Sequence, residues 1–247
     1  MKLEELMRNR KLKGGGKGKH RKPEEFFDLK EADARISEFF YNHGFEDFPQ
    51  PERLQLVRFY QMLMANQQEY NFTRLLRIRD VAIKHFVDCL MVPKLTQLVF
   101  PLLDVGTGPG FPGIPLKIVY PDERIILCEG VQKRVEFLKN VREELELKNL
   151  DILGRRMDKT FEYPVQGIIT RALANISESL ELFLPSLPVG GFAYFMKGPN
   201  VDQEVFAAES KFSGTYKLSQ NISYQLPETP HQRRLVIFEK TAPRLRK

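Results

Sequence analysis

Asp104 stands two positions ahead of a turn that holds Gly106, Gly108, Gly110 and Gly113, with Pro109, Pro112 and Pro115 interleaved. Glycine and proline at that density cannot continue a helix or a strand, so the chain bends there around something. Glycine lets a ligand approach the backbone with no Cβ in the way, and Pro112 and Pro115 preset φ for a following helical turn. Twenty-three residues beyond Gly106, at the end of the next apolar run, comes Glu129. A carboxylate at that spacing is suited to accept hydrogen bonds from the hydroxyls of a ribose.

Short apolar runs predict strands at Leu102–Val105, Arg124–Glu129, Leu150–Leu153, Val165–Thr170, Phe192–Met196, Tyr216–Tyr224 and Arg234–Lys240. Helical periods between them predict helices at Gly113–Val119, Gln132–Leu147, Ser177–Leu184 and Asp202–Ala208. This alternation implies an α/β fold, a doubly wound and mostly parallel seven-stranded sheet with helices on both faces. The last two strands are joined by a stretch with no room for a helix, so they pair antiparallel at the sheet edge. Ahead of the sheet, helices at Pro23–Gly44, Pro51–Glu69 and Arg79–Met91 suggest a helical N-terminal subdomain over residues 23–98, followed by the sheet domain over 99–247. Ligands of such sheets lie beyond the C-terminal ends of the strands, where the glycine turn emerges.

Composition narrows the setting. The chain carries 42% hydrophobic and 28% charged residues, ordinary for a globular protein, and no apolar run long enough to span a membrane. Its N-terminus lacks the apolar middle of a secretory signal, and Cys89 and Cys128 fit no metal-ligand spacing, so no metal and a reduced, cytoplasmic setting are expected. Both thiols read as small core residues. The net charge of +6 is local: residues 1–22 hold nine Lys/Arg against two Glu, while the rest is nearly neutral. Such a Gly/Lys arm cannot bury enough apolar surface to fold alone and is expected to be disordered. It is suited to phosphate contact with nucleic acid, or is a solubilising tail.

Two cofactor classes fit the turn. "GPGFPG" at 108–113 matches the dinucleotide fingerprint, which leaves a nicotinamide- or flavin-dependent oxidoreductase open. Phe111 and the prolines sit where a pyrophosphate would want free N–H groups, and an acid near the loop suits the positive charges of S-adenosylmethionine better.

The stretch "LLDVGTGPGFPGIPLKIVYPDERIILCEGVQKRVEFLKNVREELELKNL", with "YNFTRLLRIRDVAIKHFVDCL" and "ITRALANISESLELFLPSLPVGGFAYFMKG", resembles the small-subunit (16S) ribosomal RNA guanine-N7 methyltransferases, also called glucose-inhibited division protein B. The resemblance covers roughly residues 50–240. It implies a Rossmann-like fold, S-adenosyl-L-methionine as methyl donor, and N7 of a guanine in small-subunit ribosomal RNA as acceptor. The implied partner is that RNA, alone or within the 30S particle, met by a monomer with no membrane contact. Carried over by position, Gly106 and Phe111, in one turn with Gly108 and Gly110, fall at the cofactor. Met157 and Asp158 match the pair flanking the adenine, Glu129 replaces the usual aspartate on the ribose, and Arg171 is the arginine of the S-R-A-F segment. Lys84 for Arg and Leu173 for Phe are departures. A binding module that kept this fold without catalysis is the other alternative.

Different methyl acceptors demand different machinery. The Asn/Asp-Pro-Pro-aromatic turn that serves exocyclic amines is absent, and neither cysteine sits in a Pro-Cys loop. Guanine N7 has a free lone pair at neutral pH and needs orientation, not a strong base. Arg171 and Lys197, at the ends of predicted strands, are candidates to position the guanine or clamp a phosphate. Arg171 could equally pair with a carboxylate that fixes its loop. Asn71, Thr73 and His85 are candidates for the opposite wall, with His85 alternatively a packing residue. Deleting residues 1–22 should weaken RNA affinity and flatten its salt dependence in filter-binding titrations; an unchanged salt slope would make the arm only a tail.

Overall fold

The computed structural model describes residues 26–243, so the basic arm and the start expected for the first helix at Pro23 lie outside the described residues. Helix α1 (Leu29–Tyr41) begins where the Asp28 carboxylate accepts from the Glu31 N–H at 2.8 Å. Helix α2 (Gln50–Tyr70) enters on a proline and ends at Asn71, whose left-handed backbone closes it. The next helical run does not stop at Met91 as the sequence suggests. Helix α3 (Ile78–Val81) passes into a π-helical segment (Ala82–Val87) and then α4 (Asp88–Leu95), which continues through Pro93.

Strands β1 (Leu102–Val105), β2 (Ile125–Cys128), β3 (Leu150–Leu153), β4 (Gly167–Arg171), β5 (Phe192–Lys197), β6 (Tyr216–Gln225) and β7 (Gln232–Lys240) form one sheet. Their order is β3-β2-β1-β4-β5-β7-β6. All neighbours are parallel except β7, which runs antiparallel to both β5 and β6. The connecting helices are α5 (Gly113–Val119), α6 (Gln132–Glu144), α7 (Ile176–Phe183) and α8 (Asp202–Phe212). Helix α6 ends earlier than its apolar pattern suggests because Glu146 turns to φ +51°, and Leu147 N–H closes onto the Arg142 carbonyl.

Alternate strand residues serve opposite faces, the period expected of a pleated sheet. Leu102, Ile125, Leu127, Ile169 and Ile237 point to a core shared with α1, α2, the π segment, α5 and α6. Leu103, Ile126, Ile168, Phe195 and Phe238 point to a second core against α7 and α8. The N-terminal helices are therefore joined to the sheet by a continuous core. Chain order reverses between β1 and β4, and their C-terminal ends carry the turn after Val105 and the loop after Arg171, the place where such sheets bind ligands. No helix among the described residues is long and apolar enough to cross a membrane.

On the α7 side, Lys240 is buried and its ammonium donates to the Leu184 and Leu187 carbonyls at 2.7 Å each. These carbonyls at and beyond the end of α7 have no continuing helical partners, and the cation also suits the negative end of the helix dipole. Replacing Lys240 with methionine should lower unfolding stability by about 2 kcal/mol with an unchanged urea m-value. An unaltered urea midpoint would show that this cap contributes nothing.

Candidate active site

Beyond β1 the chain folds back on Asp104. Its Oδ2 accepts from the Thr107 hydroxyl at 2.6 Å and from the Gly113 N–H at 2.8 Å. Gly113 must be glycine, because a Cβ there would stand 2.2 Å from Leu127 Cδ2 and 2.8 Å from Asp104 Oδ2. Asp104 is wholly enclosed, so it shapes the turn from beneath instead of facing a ligand's positive charge as its sequence position suggests. Burial pushes its carboxyl up to about 7, against the hydrogen bonds of Thr107 and Gly113 and the charge of Arg171.

Along the turn, Gly106 is exposed, Gly108 half-buried and Gly110 buried. Gly106, Gly108 and Gly110 all take positive φ, and a Cβ on Gly108 would meet nothing within 4 Å. Gly108 N–H donates to Glu129 Oε2 at 3.0 Å, and Val131 N–H donates to Oε1 at 2.8 Å. Arg134 approaches the same carboxylate at 3.5 Å. Arg134 meets Oε2, so the acceptor capacity left after the backbone bonds is on Oε1. Leu173, from the loop after β4, lies across Gly106, with Cδ1 2.8 Å from where a Cβ would be. Phe111 is different: its ring is buried among Phe59, Phe86 and His85, leaving its backbone to face the turn.

The first turn of α5 offers no N–H to a pyrophosphate. Pro112 and Pro115 have none, Gly113 donates to Asp104, Ile114 to the Gly110 carbonyl, and Leu116 to that of Pro112. The dinucleotide alternative needs those groups free.

Beyond β3, Met157 is half-buried against the second core. Asp158 is exposed and holds its own turn, accepting from Thr160 N–H at 2.9 Å and the Thr160 hydroxyl at 2.6 Å. Those bonds hold its carboxyl below the usual range.

Arg171, at the end of β4, meets the π segment. Its guanidinium lies 5.1 Å above the Phe111 ring and donates to the Lys84 carbonyl at 3.3 Å and His85 Nδ1 at 3.0 Å. Asp88 Oδ2 lies 3.5 Å away. Asp88 is buried and shared, since Arg233 approaches its Oδ1 at 3.4 Å and the Tyr224 hydroxyl donates to it at 3.2 Å. One carboxylate between two guanidinium groups leaves the rim cationic. Asp88 follows Lys84 by one helical turn, a spacing visible in the sequence. The antiparallel course of β7 brings Arg233 to the C-terminal ends of the parallel strands.

The remaining candidates have local duties. Lys197 donates to the Ala174 carbonyl at 2.9 Å and pairs with Glu204 at 2.8 Å, fastening the loop after β4. Asn71 caps α2, and its side-chain oxygen accepts from Gln67 at 3.1 Å. Thr73 reaches His85 Nε2 at 3.0 Å. Both thiols are buried, and burial pushes Cys128 up to about 11 and Cys89 higher, so neither is an available thiolate at neutral pH.

A solved structure from Listeria monocytogenes, named as a class I S-adenosylmethionine-dependent methyltransferase, shares this fold. It superposes with a TM-score of 0.57 over 88% of each chain at 10% identity. The family model described as rRNA small subunit methyltransferase G matches residues 52–236. A ribosomal RNA small subunit methyltransferase G 2 from Bdellovibrio bacteriovorus is 57% identical over 223 residues, 90% of this chain and 88% of that protein. Its namesake from Syntrophobacter fumaroxidans is 42% identical over 200 residues, 80% of this chain and 40% of that longer protein. The chain belongs to the rRNA small subunit methyltransferase G family.

Asp104 supplies a pH test of this geometry. Unfolded, its carboxyl titrates near about 4; folded, it titrates at about 7. Between these values the folded state holds a proton that the unfolded chain has released, so stability falls as pH rises and levels off above the folded value. Asp104→Asn lacks that proton. Its denaturation midpoint should therefore gain on wild type as pH rises from about 4 to about 7, whereas a pH-independent difference would mean that Asp104 ionises freely in the fold.

Proposed function

We propose that the protein transfers a methyl group from S-adenosyl-L-methionine to N7 of a guanine in small-subunit ribosomal RNA. The observation that carries this is the Glu129 carboxylate held at 3.0 Å from Gly108 N–H, beside a glycine that opens onto free space. A ribose brought there would find acceptor lone pairs on Glu129 and backbone with no side chain in the way. Met157 and the Asp158 turn, beyond the end of β3, would border the adenine. When bound, the cofactor supplies a methyl group on a sulfonium, open to in-line displacement.

What the rim offers agrees with that acceptor. Family membership, and the names of the relatives, support small-subunit ribosomal RNA as substrate. An acceptor that had to lose a proton first would need a general base. Asp104 is enclosed, His85 has both ring nitrogens engaged, and both thiols are buried. N7 of guanine needs no base, and Arg171, braced on the π segment, is the donor best placed to orient it through O6 or a neighbouring phosphate. The direct test uses labelled S-adenosylmethionine and unmethylated small subunits, with digestion of the RNA to nucleosides. Labelled 7-methylguanosine is expected; label in another nucleoside, or none, would overturn the proposal.

Gly108→Ala separates the site from the fold. An alanine at φ +61° costs about 1 kcal/mol of backbone strain but meets no neighbour. Its methyl group would occupy the space offered to the ribose. Calorimetric affinity for S-adenosylhomocysteine should drop at least about tenfold, some 1.4 kcal/mol, while the protein stays folded. Undiminished affinity would place the cofactor elsewhere.

A further inference from the structure

His85 sits between a group that can only donate and a hydroxyl that can do either. Arg171 Nη2 lies 3.0 Å from its Nδ1, and a guanidinium has no acceptor. Nδ1 must therefore present a lone pair, and the neutral ring must carry its proton on Nε2. That nitrogen lies 3.0 Å from Thr73 Oγ1. Burial, together with the Arg171 charge, holds the His85 pKa well below the usual histidine value, so the imidazole stays neutral. The ring plane is fixed by stacking on Phe111, with centroids 4.3 Å apart and a 19° tilt.

Thr73 is itself held in place. Gln67 is fully buried; its Oε1 accepts from Thr73 N–H at 3.0 Å, and its Nε2 donates to the Thr73 carbonyl at 2.7 Å. Leu75 N–H donates to the Thr73 hydroxyl at 3.0 Å, which leaves that oxygen one lone pair for the imidazole proton. A histidine braced merely for packing would not need an acceptor on one side matched to an obligate donor on the other.

We infer that Thr73 locks His85 in its Nε2–H tautomer so that the Nδ1 lone pair aims the Arg171 guanidinium at the methyl acceptor, making Thr73 and His85 positioning residues. This rests on the assignment of Arg171 to the acceptor in the proposed function. Losing the hydroxyl leaves the Nε2 proton without its partner. The alternative tautomer would set an N–H against the guanidinium N–H and turn it away. A displacement of that kind lowers turnover more than binding.

The test combines spectroscopy of the full-length protein with kinetics on small-subunit RNA. Nitrogen-15 histidine spectra of the wild type at neutral pH, without RNA, should show His85 protonated at Nε2 and bare at Nδ1. Thr73→Val should lower kcat about tenfold with little change in the KM for either substrate, while Thr73→Ser, which keeps the hydroxyl, stays near wild type. His85→Gln, which retains an acceptor, should exceed His85→Phe in kcat. A proton on Nδ1 in the wild type overturns the lock, as does unchanged kcat in Thr73→Val or equal loss in the two His85 variants. If Thr73→Val does not fold, the wild-type spectrum and the His85 pair decide. Arg171→Gln tests the underlying assignment separately: unchanged kcat there, with the Nε2–H spectrum intact, removes Arg171 from the acceptor but leaves the tautomer standing.

Discussion

The hydrogen bonds that Asp104 accepts from Thr107 and Gly113 hold the candidate site together. They pin both ends of the glycine turn to the end of β1, one through a side chain and the other through the first amide of α5. Because Asp104 is enclosed, the turn is built from below, and its backbone is left open at Gly108. Glu129 then fixes the other side by accepting from Gly108. Two carboxylates thus divide the work: Asp104, wholly enclosed, forms the turn, and Glu129, also buried, flanks it with acceptor capacity remaining on Oε1.

The opposite wall is arranged on the same principle. The wide π-helical turn presents the Lys84 carbonyl and the His85 ring to Arg171, and Asp88 follows one turn later. Irregular helical turns of this type recur at functional sites because they release backbone and side-chain groups from the regular ladder. Asp88 is buried, and its own charge is disfavoured there. Two guanidinium groups and the Tyr224 hydroxyl oppose that penalty, and they tie β4, β6 and β7 to the N-terminal helices. The helices ahead of the sheet therefore help to build the rim as well as cover the core.

Much of this was legible in the sequence where punctuation is strong. β1, β3 and α5 begin and end where apolar runs, glycine and proline place them. The turn and Glu129 come together as their spacing implies. Legibility failed where the signal is not local. Nothing in the pattern marks Glu146 as the left-handed residue ending α6, since the usual glycine is missing, and π and α turns bury similar faces. Arg233 becomes part of the rim only through strand order, and Lys197 proves committed to Ala174 and Glu204 because its neighbouring loop needs a fastener. Asp104 misled in a different way: its position suggests a ligand contact, yet burial makes it a framework residue.

The central claim is that the glycine turn and Glu129 together cradle the nucleoside of the methyl donor. A crystal structure of the protein with S-adenosylhomocysteine tests it most directly. The ribose hydroxyls should lie within hydrogen-bond distance of the Glu129 carboxylate, with the adenosine against the backbone at Gly106 and Gly108. Density for the nucleoside away from that turn, or a ribose held by other residues with Glu129 uninvolved, would contradict it.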